Sequence, residues 1–146
     1  MSWVEYFLNI ANQVKLKSKD RYTQIGVVLV GTDNEIVSTG YNSFPRGIDD
    51  NVKARQERPE KYFWFAHAEL NSIVNAARIG VSTKDTTMYM TCGIPCCDCA
   101  RAIINAGVSM IVCNSKDSAK GELWYQHKKR AIIMLEEAGV EVVEYA

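Results

Sequence analysis

The sequence predicts one α/β domain over residues 1–146, with parallel strands joined by right-handed crossovers and helices on both faces of the sheet. Three observations carry this. After an opening hairpin, stretches of helical period and short apolar runs alternate as helix, strand, helix, strand, helix, strand. A length of 146 residues suits one hydrophobic core without disulfide staples. No repeat, low-complexity tract or linker interrupts the chain.

Trp3, Phe7, Ile10 and Val14 recur at three- and four-residue spacing, which predicts a helix over 2–17 with Ser2 as its N-cap. A basic turn follows at 17–21. Residues 25–30 are continuously apolar, as in a strand buried on both faces. Gly31 to Asn34 has hairpin-turn chemistry and leads into a second strand at 35–41. The stretch 42–65 has no clear period, contains Pro45, Gly47 and Pro59, and is long for a connection, which makes it a functional-loop candidate. Helices are predicted at 66–78, 97–106 and 121–138, closed by Gly80, Gly107 and Gly139. Strands are predicted at 86–91, 109–113 and 140–143.

Lys+Arg and Asp+Glu both number 17, so the formal net charge is zero. That argues against a nucleic-acid partner, whose binding rests on many phosphate contacts, but leaves room for a small phosphorylated substrate. No apolar run approaches the roughly 20 residues that span a bilayer, so no membrane partner is expected. The N-terminus lacks the basic start and apolar stretch of a signal peptide. A cytoplasmic location is expected, the host cytoplasm if the chain is viral. In that reducing compartment the five cysteines read as metal ligands or core residues rather than disulfides.

Two segments carry chemistry: His67, Ala68, Glu69 opening one helix, and Pro95, Cys96, Cys97, Asp98, Cys99 opening the next. Cys96 and Cys99 are three apart, so in a first helical turn they share a face and can bind one tetrahedral zinc. The helix N-terminus favours their thiolates. One His and two Cys leave the fourth zinc position open, as in catalytic sites. Glu69 is two residues from His67, and two steps inside a helix point to nearly opposite sides. The pair converges only if His67 belongs to the chain entering the helix, where Glu69 could act as general acid and base. H-x-E followed by P-C-x-x-C is the known signature of zinc nucleobase deaminases.

At these residues the chain resembles the deoxycytidylate (dCMP) deaminases of the cytidine deaminase-like superfamily, over nearly its full length. Ser18, Lys19 and Asp20 with Thr23 and Gly26 are similar to that family's segment before the first strand. The loop GYNSFPRGIDD at 40–50 is the most specific likeness, and HAELN at 67–71 and PCCDCARAII at 95–104 complete it. The resemblance implies a three-layer α/β/α cytidine deaminase-like domain with a five-stranded mixed sheet, usually assembled as a homohexamer. It implies hydrolytic deamination of dCMP to dUMP with ammonia release, on one Zn2+ per subunit held by His67, Cys96 and Cys99, with Glu69 moving protons. It also implies regulation by dCTP and dTTP at a site drawn from Tyr41, Asn42, Phe44, Arg46, Asp49 and Asp50, with Mg2+ accompanying the regulatory triphosphate. Carried over by position, Asn42 touches the deoxyribose hydroxyl. Arg21 stands where a proline is common, and Ser43 replaces the usual glycine.

Other readings of single residues stay open. Asn42 also suits a cap of the turn after its strand. Lys19, Arg21 and Arg46 are candidates to pair a substrate phosphate, or a solvated basic loop. Asp49 and Asp50 are loop-solvating acids or part of a magnesium or nucleotide site. Cys97 reads as a spectator, turned about 100° from Cys96, with the role of alternative ligand left open. Cys92 and Cys113 read as core or near-site residues, and His127 as a surface residue. Tyr62, Phe63, Trp64 and Phe65 read as packing residues, with one ring available to flank a pocket. Competing functions are a zinc deaminase of another cytosine nucleotide or of a base in tRNA, and a non-catalytic nucleotide-binding zinc module. Glu69 separates the last, because a binding module needs no proton carrier there.

Overall fold

Ser2 and Glu5 start the chain with a reciprocal capping box: the Glu5 amide donates to Ser2 Oγ and the Ser2 amide to Glu5 Oε2, each at 3.1 Å. From that cap runs α1 (Trp3–Val14), which buries Phe7, Leu8 and Ala11 and ends in a 3-10 turn, Lys15–Lys17. The computed structural model describes residues 1–116 and 121–145. The further elements are β1 (Gly26–Val30), β2 (Ile36–Tyr41), α2 (Lys53–Gln56), α3 (Lys61–Trp64), α4 (Ala68–Ile79), β3 (Thr87–Met90), α5 (Cys97–Asn105), β4 (Met110–Asn114), α6 (Glu122–Glu137) and β5 (Glu141–Tyr145). The stretch 42–65 holds two single helical turns, α2 and α3, each too short to leave a periodic signature. No described helix is long and apolar enough to cross a membrane.

The five strands form one mixed sheet in the order β2-β1-β3-β4-β5. β1 is antiparallel to both β2 and β3, and β3, β4 and β5 are parallel. Four strands therefore run one way, and the hairpin strand β1 lies between β2 and β3 against them. The carboxyl ends of β2, β3 and β4 meet at one edge, the position where open α/β sheets bind ligands. Alternation along the strands sorts the core. Val27, Leu29, Met88, Met90, Ile111 and Cys113 face Ala68, Ala100, Ile103, Ala131 and Leu135 of α4, α5 and α6. Val28, Val30, Tyr89 and Val112 face Phe7, Leu8 and Ala11 of α1. All of β1 is buried because both its faces are covered.

Gly40 sets the height of α4 above the sheet. A Cβ there would lie 2.4 Å from the Ser72 nitrogen and 2.5 Å from the Ala68 carbonyl oxygen, both backbone atoms that cannot swing away. The connection from β2 to α4 is held by a buried ion pair, Lys61 Nζ to Asp20 Oδ2 at 2.9 Å. The Lys61 ammonium also lies 5.3 Å from the Tyr22 ring and 5.4 Å from the Phe65 ring. Burial pushes the Asp20 carboxyl up, but the Lys61 ammonium and the Tyr22 and Thr23 amides more than offset it and leave it below the usual carboxylate range.

Three outcomes are expected. Gly40→Ala should destabilise the fold by about 1–3 kcal/mol through overpacking, read as a lower urea midpoint. Lys61→Met should cost about 3–5 kcal/mol, because it strands a buried carboxylate. Because the folded Asp20 pKa is depressed, its contribution is complete above about pH 4 and is lost as pH falls through the folded value. Unfolding midpoints measured down an acid series should therefore fall less steeply in Asp20→Asn.

Candidate active site

The edge where β2 and β3 end is stitched together before any functional side chain is placed. Thr91 donates its amide to the Gly26 carbonyl and accepts the Gly26 amide on Oγ1, both at 3.0 Å. Beyond β2, Ser43 and Ala66 form an isolated antiparallel bridge, with bonds of 3.1 and 2.8 Å. Ser43 does not have a positive φ, so its backbone has no need of a glycine. The bridge keeps Ala66 extended, so α4 begins at Ala68 and His67 is its N-cap, with φ −72 and ψ 152. Asn71, one turn into α4, donates to the Tyr41 carbonyl at 2.8 Å and the Ala66 carbonyl at 3.4 Å.

Cys96 is the N-cap of α5, and its sulfur accepts the Cys99 amide at 3.4 Å. Both segments thus open helices, and the two mouths face each other. His67 Nδ1 lies 3.5 Å from Cys96 Sγ and 3.4 Å from Cys99 Sγ. A tetrahedral zinc, with bonds of about 2.0 Å to nitrogen and 2.3 Å to sulfur, sets such atoms about 3.5 Å apart, so the donor set fits that ion. Among the described residues, these three are the group of His, Cys, Asp or Glu donors that converge within 4.8 Å. None of the five cysteines is in a disulfide. Both ligand-type sulfurs are buried, whereas His67 is exposed.

The electrostatics suit such a set. The Cys96 thiol is lowered to about 4, first by the hydrogen bond from Cys99 and then, against burial, by His67. The Cys99 thiol is raised, because Cys96 holds its proton. His67 is raised to about 9 by its bond to Cys96. Protons occupy the positions a dication would take, so metal binding displaces them. Glu69 is 4% exposed in the first turn of α4, two residues from His67, and burial pushes its carboxyl up.

Other expected site residues lie elsewhere. Asn42 is buried with its amide fully engaged: Oδ1 accepts the Ile25 amide at 2.9 Å, and Nδ2 donates to the Thr23 carbonyl at 2.8 Å and to Asp20 at 3.4 Å. Lys19 is paired with Asp50 at 2.8 Å, and Arg21 is exposed. A cavity of about 460 Å³ is lined by Lys19, Tyr41, Phe44, Arg46 and Asp50, together with Lys17, Asn71 and Arg78 among others. Asn42 and Asp49 do not line it. Asp49 instead accepts the Asn51 amide at 2.9 Å, and among the described residues neither Asp49 nor Asp50 joins a three-donor group. The cavity lies across α4 from Glu69, since Asn71 is two residues on, a turn of about 200°.

One placement agrees with the sequence reading and two add to or revise it. Cys97 stands outside the donor group; its amide and thiol both go to His127. His127 is accordingly half-buried against α5 rather than on the surface. In the cavity's far wall, Asn75 and Arg78 carry no mark in the sequence, and Asn71 stands out only as the last residue of HAELN. A signal existed for His127: Trp124, His127, Ala131 and Leu135 fall on one helical face, which ends in the core. Phe65 packs on Phe44 at 4.3 Å, as a packing residue should.

Comparison with known proteins agrees with this geometry. The family described as the cytidine and deoxycytidylate deaminase zinc-binding region matches residues 1–115. A probable deoxycytidylate deaminase of Caenorhabditis elegans is 44% identical over 108 residues, 72% of this chain and 53% of that protein. The deoxycytidylate deaminase of Mus musculus is 36% identical over 117 residues, 77% of this chain and 64% of that protein. The match thus spans between half and two thirds of these relatives' length. The dCMP deaminase of cyanophage S-TIM5, solved in complex with dCMP and dUMP, shares the fold with a TM-score of 0.77 at 23% identity, covering 97% of this chain and 95% of that one. With the donor set, the helix mouths and the matched region in agreement, this chain belongs to the cytidine and deoxycytidylate deaminase zinc-binding family.

Proposed function

We propose that the chain catalyses hydrolytic deamination of dCMP to dUMP, with His67, Cys96 and Cys99 as zinc ligands and Glu69 as proton carrier. The observation that carries this reading is a buried carboxyl beside a set of three donors among the described residues, since structural zinc sites close with four protein ligands. When bound, zinc supplies the Lewis acidity that makes water a nucleophile near neutral pH. Glu69 accepts one proton from the attacking water and delivers it to the ring nitrogen, then takes the second from the new hydroxyl and delivers it to the departing amine. Water adds at the amino-bearing ring carbon, that carbon–nitrogen bond breaks, and ammonia leaves.

The substrate assignment is supported by the names of the relatives and by the 40–50 loop. Control by dCTP and dTTP is supported by the cavity across α4, where Lys17, Lys19, Arg46 and Arg78 offer cations to phosphates. Assembly as a homohexamer is part of the same reading, and exposed Trp3, Leu16, Tyr62 and Phe63 support an oligomer. The thiol ligands support a reducing, cytoplasmic setting.

The test is ammonia release by zinc-loaded protein from dCMP, CMP, dCTP and deoxycytidine, and from tRNA, with dCMP expected to lead. Activity on tRNA above that on dCMP would move the assignment to nucleic-acid editing. Glu69→Gln should keep its zinc, measured by metal analysis, while kcat falls about 10²–10⁴-fold; an unchanged kcat would rule out the proton-carrier role. Arg78→Ala should weaken the response to dCTP or dTTP by about tenfold, the worth of one charged hydrogen bond. Its rate without effector should stay the same in a titration of each nucleotide.

A further inference from the structure

The first turn of α5 carries both cysteine donors, and its amides are shared between two acceptors. Cys99 donates its amide to the Cys96 sulfur at 3.4 Å. Cys97 donates its amide to His127 Nδ1 at 3.1 Å. The Cys97 thiol donates to the His127 carbonyl at 3.4 Å, so one residue of α6 holds one residue of α5 at two points. His127 itself is held. Its ring stacks on Trp124, with centroids 6.3 Å apart and planes 21° off parallel, and one and two turns further along α6 Ala131 and Leu135 are fully buried in the core.

We infer that His127 is a positioning residue for the metal centre, an acceptor on α6 that fixes the first turn of α5 so that Cys96 and Cys99 stay in place for the ion. Cys97 is buried, so its amide has no water to turn to if that acceptor is removed. The turn must then tilt to find another partner, and the Cys96 sulfur is already occupied by the Cys99 amide. A metal site tolerates only about 0.2 Å of error in its ligand distances, so a small tilt is felt as lost affinity. Because Nδ1 accepts, the ring carries its proton on Nε2 and acts as a neutral group. What the turn needs is an acceptor at that point, not an imidazole as such. An asparagine amide oxygen lies at about the same distance from the backbone as Nδ1. A phenylalanine ring keeps the stacking on Trp124 and offers no acceptor.

This rests on His67, Cys96 and Cys99 holding zinc, and the experiment separates the two. Zinc affinity of the full chain is measured by competition with a chromophoric chelator for the wild type, His127→Phe and His127→Asn. The cobalt–thiolate absorption of each protein and its thermal midpoint are recorded alongside. His127→Phe should lose about 10–100-fold in affinity, the range found for residues that orient metal ligands, and its cobalt–thiolate bands should shift. His127→Asn should keep most of the affinity and the bands. A packing role predicts the reverse order, because asparagine loses the ring and phenylalanine retains it. Equal zinc affinity in wild type and His127→Phe would overturn the inference, as would a loss in His127→Asn as large as in His127→Phe. Should His127→Phe fail to fold, His127→Asn decides: retained affinity supports the acceptor role and lost affinity overturns it. A wild type that binds no zinc would overturn the metal centre, and the role of His127 with it.

Discussion

Donor side chains at the first turns of two helices can share an ion only if both helices begin at the same place, and a carboxyl two residues from a histidine can join them only if that histidine lies outside its helix. The chain meets both conditions through backbone pairing rather than through the functional side chains. The Ser43–Ala66 bridge keeps the chain extended up to His67, so that the helix starts one residue later and carries Glu69 inward. The opposing helix starts where β3 ends, and places Cys96 on its cap and Cys99 in its first turn. Direction of the strands makes the meeting unavoidable, because β2 and β3 end at the same edge of the sheet.

Close approach is the condition for this geometry to hold. Gly40 lets α4 rest on β2 without an intervening side chain, so the helix that presents Glu69 is referenced directly to the sheet. The helix with the cysteines is referenced instead to α6, through His127. The long segment before His67 would otherwise be free to shift, and the Lys61–Asp20 pair anchors it, with Asn42 as a third member of the same buried polar group. Polar groups inside a low-dielectric interior hold position well when every one is paired, and this cluster is densely paired.

α4 separates two environments. Its inward side offers Glu69 to the buried donors, and its outward side, through Asn71, Asn75 and Arg78, forms a wall of the basic cavity. Asn71 belongs to both: it lines the cavity, and its amide nitrogen holds the carbonyl of Ala66, the residue before His67. Charge follows the same division. The donor side buries its two sulfurs and works with proton sharing between sulfur and nitrogen, whereas the cavity side keeps its cations near water.

Local patterns in the chain determined most of the architecture and the chemistry of the centre. Alternating apolar periods marked each long helix and strand, because burying one face of a helix or strand requires those periods. The spacing of His67, Glu69, Cys96 and Cys99 determined the donor set, because a metal accepts few ligand types and few separations. Only the tertiary structure decided that β1, already paired with β2 by its hairpin, also lies antiparallel against β3, since the order of strands is set by long-range packing and leaves no local mark. It also decided that the Asn42 amide turns inward, that Lys19 belongs to the cavity across α4, and that His127 closes the cysteine helix. A polar side chain has the same letter whether it meets water, a substrate or a backbone amide, and its partner is chosen only when distant segments come together.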